Sequence, residues 1–163
     1  MFIRMALAAG AVAACSVSMP ASAQVITHRD VGVRMGLTIA VAALDQCEAD
    51  GNSVSVAVVD RAGRLRVFLQ SDKANPHNIE LARRKAYTAR TFGRTSGDWA
   101  KRTIELPELA AQRQLEDVIA LRGGVPIKIG NDTIGAVGVS GSSSEGDEKC
   151  AIAGIAKVQD QLK

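Results

Sequence analysis

The chain has 163 residues, a formal net charge of +3, 47% hydrophobic residues and 23% charged ones. That composition suits one globular domain and excludes an intrinsically disordered chain, because there is ample apolar material for a core. So small a charge, with only 3% aromatic residues, argues against nucleic acid as a partner: neither a basic footprint nor stacking platforms are present.

Residues 1–23 read as an export signal and 24–163 as the mature domain. Arg4 gives a positive start, Ala6 to Val17 is an apolar run, and Ala21-Ser22-Ala23 has the small-x-small form of a cleavage site. The run falls short of the ~20 residues a membrane-spanning helix needs, so no transmembrane helix is expected. Val12-Ala13-Ala14-Cys15 offers a second processing box, a lipoprotein signal that would anchor the chain through Cys15. The expected destination is the periplasm or the cell exterior. Cleavage after Ala23 leaves two cysteines, Cys47 and Cys150. In an oxidising compartment a lone pair reads as a disulfide, and the alternative is two buried free thiols. The bond would close a separation of 103 residues, worth roughly 4–5 kcal/mol on the chain-entropy account.

Asp30 to Ala49 carries apolar residues at helical steps: Val33, Leu37, Ala40, Val41, Leu44 and Cys47. Asp50-Gly51-Asn52 ends that helix. Val54 to Val59, the turn Asp60-Arg61-Ala62-Gly63 and Leu65 to Leu69 form a β-hairpin. Asn75-Pro76 predicts the start of a second helix, with Asn75 as its cap and Glu80 in its first turn. Its apolar stripe is narrow (Ile79, Ala82, Ala86, Ala89), its other faces carry Arg83, Arg84, Lys85 and Arg90, and Gly93 stops it.

From Arg94 to Arg122 the pattern breaks into short helical pieces and loop. Gly123-Gly124 then opens a second hairpin, Val125 to Ile129 and Thr133 to Val139, around Gly130-Asn131-Asp132. Pro126 has no N–H for a ladder, so it belongs at a strand start or sheet edge. After the polar Ser140–Gly146 loop, a last helix runs from about Glu145 to Gln159. Ala151, Ile155 and Val158 lie on one side of it, and Glu145, Asp147 and Glu148 stand at its N-terminus. The expected fold is a single α+β domain: a mostly antiparallel sheet of two hairpins flanked by helices. A Cys47–Cys150 bond would set the first and last helices side by side.

Five segments carry a family resemblance. They are Leu37-Thr38-Ile39-Ala40, the Asp60-Arg-Ala-Gly63 turn, the Ala82-Arg-Arg-Lys85-Ala86-Tyr-Thr88-Ala89 helix with Thr95 beyond it, Gly123-Gly124-Val-Pro126-Ile, and Ile134-Gly135-Ala-Val-Gly138-Val-Ser140-Gly141 followed by Asp147-Glu148. In this order they resemble the GlcG/HbpS family of haem-binding proteins, related to the C-terminal domain of PduO-type proteins. The resemblance implies homo-oligomeric assembly and binding of haem or a related tetrapyrrole, with some members haem-degrading or redox-responsive. The Asn75-Pro76-His77-Asn78 approach to the second helix is not part of that pattern.

Iron in haem takes imidazole, thiolate, thioether or phenolate ligands. His77, at the start of the second helix, and His28, before the first, are the imidazole candidates; each competes with an ordinary surface role. Tyr87 lies ten residues beyond His77, about 15 Å along a straight helix, so the two cannot share one iron. Met35 reads as core. Haem propionates need cationic or amide donors: Arg83, Arg84, Arg90, Arg94 and Lys101 are candidates, against a simple solvated face. The resemblance adds Thr95 and the backbone at Gly123 and Gly124.

Enzyme signals are weaker. Ser142 stands where a nucleophile elbow needs glycine, no Gly-Lys-Ser/Thr follows the Gly/Ser-rich loop, and zinc spacing is absent from the sequence. The three acids of the last helix suit a hard cation or, more simply, a helix start. The expectation is an exported haem- or tetrapyrrole-binding protein. The alternatives are an accessory enzyme on a small organic acid or corrinoid, a haem-degrading activity, or a secreted oligomeric scaffold.

Overall fold

A computed structural model describes residues 25–163; the expected export signal at 1–23 and the Cys15 box lie outside the described residues. In chain order come α1 (Val33–Ala49), β1 (Ser55–Val59), β2 (Leu65–Gln70), α2 (Asn78–Phe92), α3 (Ser96–Glu105), a 3-10 segment (Pro107–Gln114), β3 (Gly124–Ile129), β4 (Asp132–Ser140), α4 (Ser144–Ala156) and a closing 3-10 turn (Gln159–Gln161). The two hairpins join through their inner strands into one four-stranded antiparallel sheet, ordered β2-β1-β4-β3. Ser55 stands opposite Ser140, and Val59 opposite Ala136.

Both faces of the inner strands are covered, which is why β1 is buried along its whole length. Val56, Val58, Val137 and Val139 pack toward α1 and α4; Val59 and Ala136 pack toward Ala86 and Ala89 of α2. Pro126 sits on β3, an edge strand, where a missing N–H costs no ladder bond.

Small residues set how closely the helices approach. A Cβ on Gly138 would lie 2.2 Å from the Ala82 carbonyl oxygen, and one on Gly124 2.1 Å from that of Lys85. The α2 backbone therefore rests almost directly on β3 and β4, and this is what its alanine stripe is for. On the other face α1 meets α4 where Gly154 lies against Ile39 and Ala43 and where Cys47 reaches Cys150, while Gly36 faces Val58 and Val67 of the sheet. Cys47 and Cys150, 0% and 1% exposed, form a disulfide between the two helices with Cα atoms 5.6 Å apart. The first and last helices are neighbours, as the cysteine pairing requires.

Some local expectations are corrected. The α1 helix starts at Val33, not Asp30, and Val33, Leu37 and Val41 of the expected stripe are exposed. Two apolar faces compete on this helix, and the inward one combines Ile39 with the small residues Gly36, Ala40, Ala43 and Cys47. Asn75 does not cap α2: its carbonyl accepts the Asn78 N–H in a turn, so helix geometry begins at Asn78. Ile79 is consequently exposed. The final helix stops at Ala156 and yields to the 3-10 turn. Within 94–122, Thr95 caps α3 by accepting the Asp98 N–H, and buried Trp99 stacks on Phe92 with ring centroids 4.6 Å apart.

A cleft at the start of two helices

The end of β4, the turn before α2 and the loop before α4 meet around a cleft of about 230 Å³. Asn75, His77, Asn78, Leu81 and Lys85 come from the α2 side; Ser140, Gly141, Ser142, Ser144 and Asp147 come from β4 and α4, and Leu121 closes the rim. His77 directly precedes α2 and is exposed at the mouth.

The floor is a buried ion pair. Lys85 Nζ donates to Asp147 Oδ2 at 2.7 Å and to the Val139 carbonyl at 3.0 Å, with the two side chains 4% and 3% exposed. Asp147 Oδ1 accepts the Ser142 N–H. Burial pushes the Asp147 carboxyl above its ordinary value, against the pull of Lys85 and of the Ser142 and Gly141 N–H groups. Gly123, at φ +125°, is what leaves room for this pair: a Cβ there would meet Asp147 Cβ at 2.8 Å and Lys85 Nζ at 3.1 Å. Beside it, Ser140 Oγ donates to Asn78 Oδ1 at 3.3 Å.

The residues singled out in the sequence separate into distinct places. His77 lines the cleft, and Gly123 and Gly124 support its floor. His28 lies on the exposed segment before α1, whose neighbour Arg29 accepts a hydrogen bond from Arg61, which is itself paired with Asp132. Asp132 and Ser140 are the two ends of β4, separated by on the order of 25 Å of strand. One chain therefore cannot bring both imidazoles to one iron.

Thr95 is engaged as the α3 cap. Arg83 bridges Glu80 and Asp117, and Arg84 donates to the Val118 carbonyl. Lys101 is exposed beside Glu105, Arg94 is exposed, and Arg90 keeps a buried Nε without a partner. Among the described residues no cluster of three or more His, Cys, Asp or Glu is placed to hold a metal.

Sequence reasoning missed the floor. The residue pattern alone places Lys85 off the apolar stripe of the second helix and Asp147 among the helix-start acids. The signal was present: Ala82, Lys85, Ala86 and Ala89 share one helical stripe, so Lys85 had to be buried with its alanine neighbours.

Comparison with known proteins agrees with this architecture. Residues 31–156 match the family described as haem degrading protein HbpS-like. The GlcG protein of Escherichia coli K12 is 31% identical over 112 residues, covering 66% of this chain and 78% of that one. The crystal structure of HbpS superposes with a TM-score of 0.78 at 32% identity, covering 83% of this chain and 94% of HbpS. The crystal structure of a PduOC–haem complex shares the fold, with a TM-score of 0.69 at 24% identity over 77% of this chain and 93% of that one. In sequence and in strand-and-helix arrangement alike, the chain belongs to the HbpS-like family.

Proposed function

We propose that this is an exported protein that binds haem or a related tetrapyrrole, for sequestration, transport or redox sensing, with His77 as the axial ligand to iron. The observation that carries the reading is the exposed His77 imidazole at the mouth of the cleft, on the fold of a haem-related family. Imidazole is a common haem ligand, and only two histidines are available.

The cleft itself does not enclose a macrocycle. At about 230 Å³ it falls below the ~300–1,000 Å³ of ordinary ligand pockets, and its walls are mostly polar. The residues fit a tetrapyrrole lying over the rim, where His77 reaches the metal and Leu81 and Leu121 offer apolar contact. None of the proposed propionate partners, Arg83, Arg84, Arg90, Arg94 or Lys101, lines the cleft, so in this reading the propionates stay in water.

Assembly into a homo-oligomer belongs to the same reading. Val33, Leu37 and Val41 leave an apolar face on α1, and Leu37, Val41 and Ala42 line a shallow depression of about 460 Å³. A second copy would cover such a face. Export rests on the segment before Gln24.

Titration of the purified protein with hemin tests the ligand. The expected result is a saturable Soret band that shifts in His77→Ala with at least tenfold weaker binding, and is unchanged in His28→Ala. A Soret titration indifferent to His77→Ala removes His77 from the iron. For export, protein recovered from the periplasm should begin at Gln24; recovery of intact chain from the cytoplasm alone would overturn that part.

A further inference from the structure

The interior of the cleft suits a different guest from its rim. Its volume of about 230 Å³ corresponds to about eight waters at ~30 Å³ each, room for a molecule of two to four carbons. Two helices of 15 and 13 residues begin at it, α2 and α4, and each presents the positive end of its dipole, about half a charge apiece.

The donors there are unevenly used. Ser143 caps α4 by accepting the Gly146 N–H on its hydroxyl and the Asp147 N–H on its carbonyl, which leaves the N–H groups of Ser144 and Glu145 as open donors of the first turn. The lining carries one carboxylate, Asp147, and both of its oxygens are committed, one to Lys85 and one to the Ser142 N–H. The floor is therefore neutral and offers an anion no free negative group.

Asn78 supplies the independent sign of a ligand. It is 3% exposed and lines the cleft; its Oδ1 accepts from Ser140, while its amide nitrogen has no partner among the described residues. The side chain is otherwise enclosed, and this nitrogen is not among the fully buried unpaired atoms, so it opens into the cleft as a free donor held in a fixed place.

We propose that the cleft is a binding site for a small carboxylate, its carboxyl oxygens accepting from Asn78 Nδ2 and from the Ser144 and Glu145 N–H groups. The Ser142 and Ser144 hydroxyls meet the remaining polar atoms of the guest, and His77 forms the lip. Two half-charges match a single negative charge. A phosphate dianion would be overcharged for the site and would lie beside Asp147. This site stands apart from the haem reading, because it is tested without haem and its central residue is Asn78.

The experiment is a ¹H–¹⁵N NMR titration of the haem-free protein with sodium acetate and sodium lactate, against chloride and inorganic phosphate at equal ionic strength. Expected are saturable shifts of the Asn78 side-chain amide and the Ser144 and Glu145 amides, at least tenfold weaker binding in Asn78→Ala, and at least threefold weaker binding in the double variant Ser142→Ala/Ser144→Ala. The double variant changes only half-buried or exposed hydroxyls, so it keeps the test alive if Asn78→Ala fails to fold. Absence of saturable shifts, equal affinity for chloride or phosphate, or wild-type binding in the double variant overturns the proposal.

Discussion

Replacing Asp147 by alanine should lower the unfolding free energy by about 3–5 kcal/mol, the cost of breaking a buried ion pair from one side. The reason lies in what is left behind. Lys85 Nζ is held between Asp147 and the Val139 carbonyl, and its side chain is 4% exposed. Without Asp147 a buried ammonium group remains with only neutral acceptors, the Val139 carbonyl and the Ser140 hydroxyl. The Ser142 N–H loses its partner as well, so two defects come from one substitution. Asp147→Asn keeps an acceptor for Ser142 while removing the charge, and should fall between wild type and Asp147→Ala.

The decisive comparison is the double variant Lys85→Met/Asp147→Leu. Removing both charges leaves no orphan, so it should recover most of the loss and show strong coupling in a double-mutant cycle. Urea denaturation monitored by circular dichroism reads these proteins together with the single variants Lys85→Met and Asp147→Leu that close the cycle. If Asp147→Ala lies within about 1 kcal/mol of wild type, the pair is not the latch between α2 and α4 that its geometry describes.

That latch also marks the boundary of what the sequence discloses. The hairpins were legible because each rests on local chemistry: apolar runs on either side of Asp60–Gly63 and of Gly130–Asp132, turns whose glycines, Gly63 and Gly130, both stand at positive φ. The adjacency of α1 and α4 was legible through the pairing expected of the two cysteines that remain once residues 1–23 are read as an export signal. Which face of α1 turns inward was not, because Val33, Leu37 and Val41 are as hydrophobic as anything the helix buries. Hydrophobicity ranks faces by transfer free energy, whereas the contact with α4 turns on Gly154, whose Cβ would lie 2.5 Å from the Ile39 carbonyl oxygen, so that the two backbones approach closely beside Ile39 and Ala43.

The cleft was illegible for a further reason. Asn78, Lys85, Leu121, Ser140 and Asp147 come together only once β4 lies between α2 and α4. Taken singly, each has a duller role: a helix-start amide, a solvated lysine, an acid at a helix N-terminus. The glycines were the nearest thing to a clue. Gly123, Gly124 and Gly138 were singled out by family resemblance, and the structure gives the physical reason they are needed, since each keeps a Cβ out of the α2 backbone or the Lys85–Asp147 pair.

Loss of the Cys47–Cys150 bond, by the double variant Cys47→Ala/Cys150→Ala, should cost about 2–5 kcal/mol and lower the melting temperature by roughly 5–20 °C for a domain of this size. The bond closes a separation of 103 residues that includes the whole sheet, so without it the unfolded chain regains a large ensemble. It also fastens α1 to α4 at positions with 0% and 1% exposure. A thiol reductant added to the folded protein should therefore act only as fast as the protein opens, and reduction should accelerate in step with urea-induced unfolding. The effect should extend to the cleft, because Ser144 and Asp147 belong to the same helix as Cys150; acetate shifts at the Ser144 and Glu145 amides should weaken in the double variant at temperatures well below its melting point. Calorimetry and the NMR titration read the two consequences separately. A double variant that melts within about 2 °C of wild type would mean that α1–α4 packing suffices alone, with the disulfide contributing nothing to the unfolded-state entropy assigned to it here.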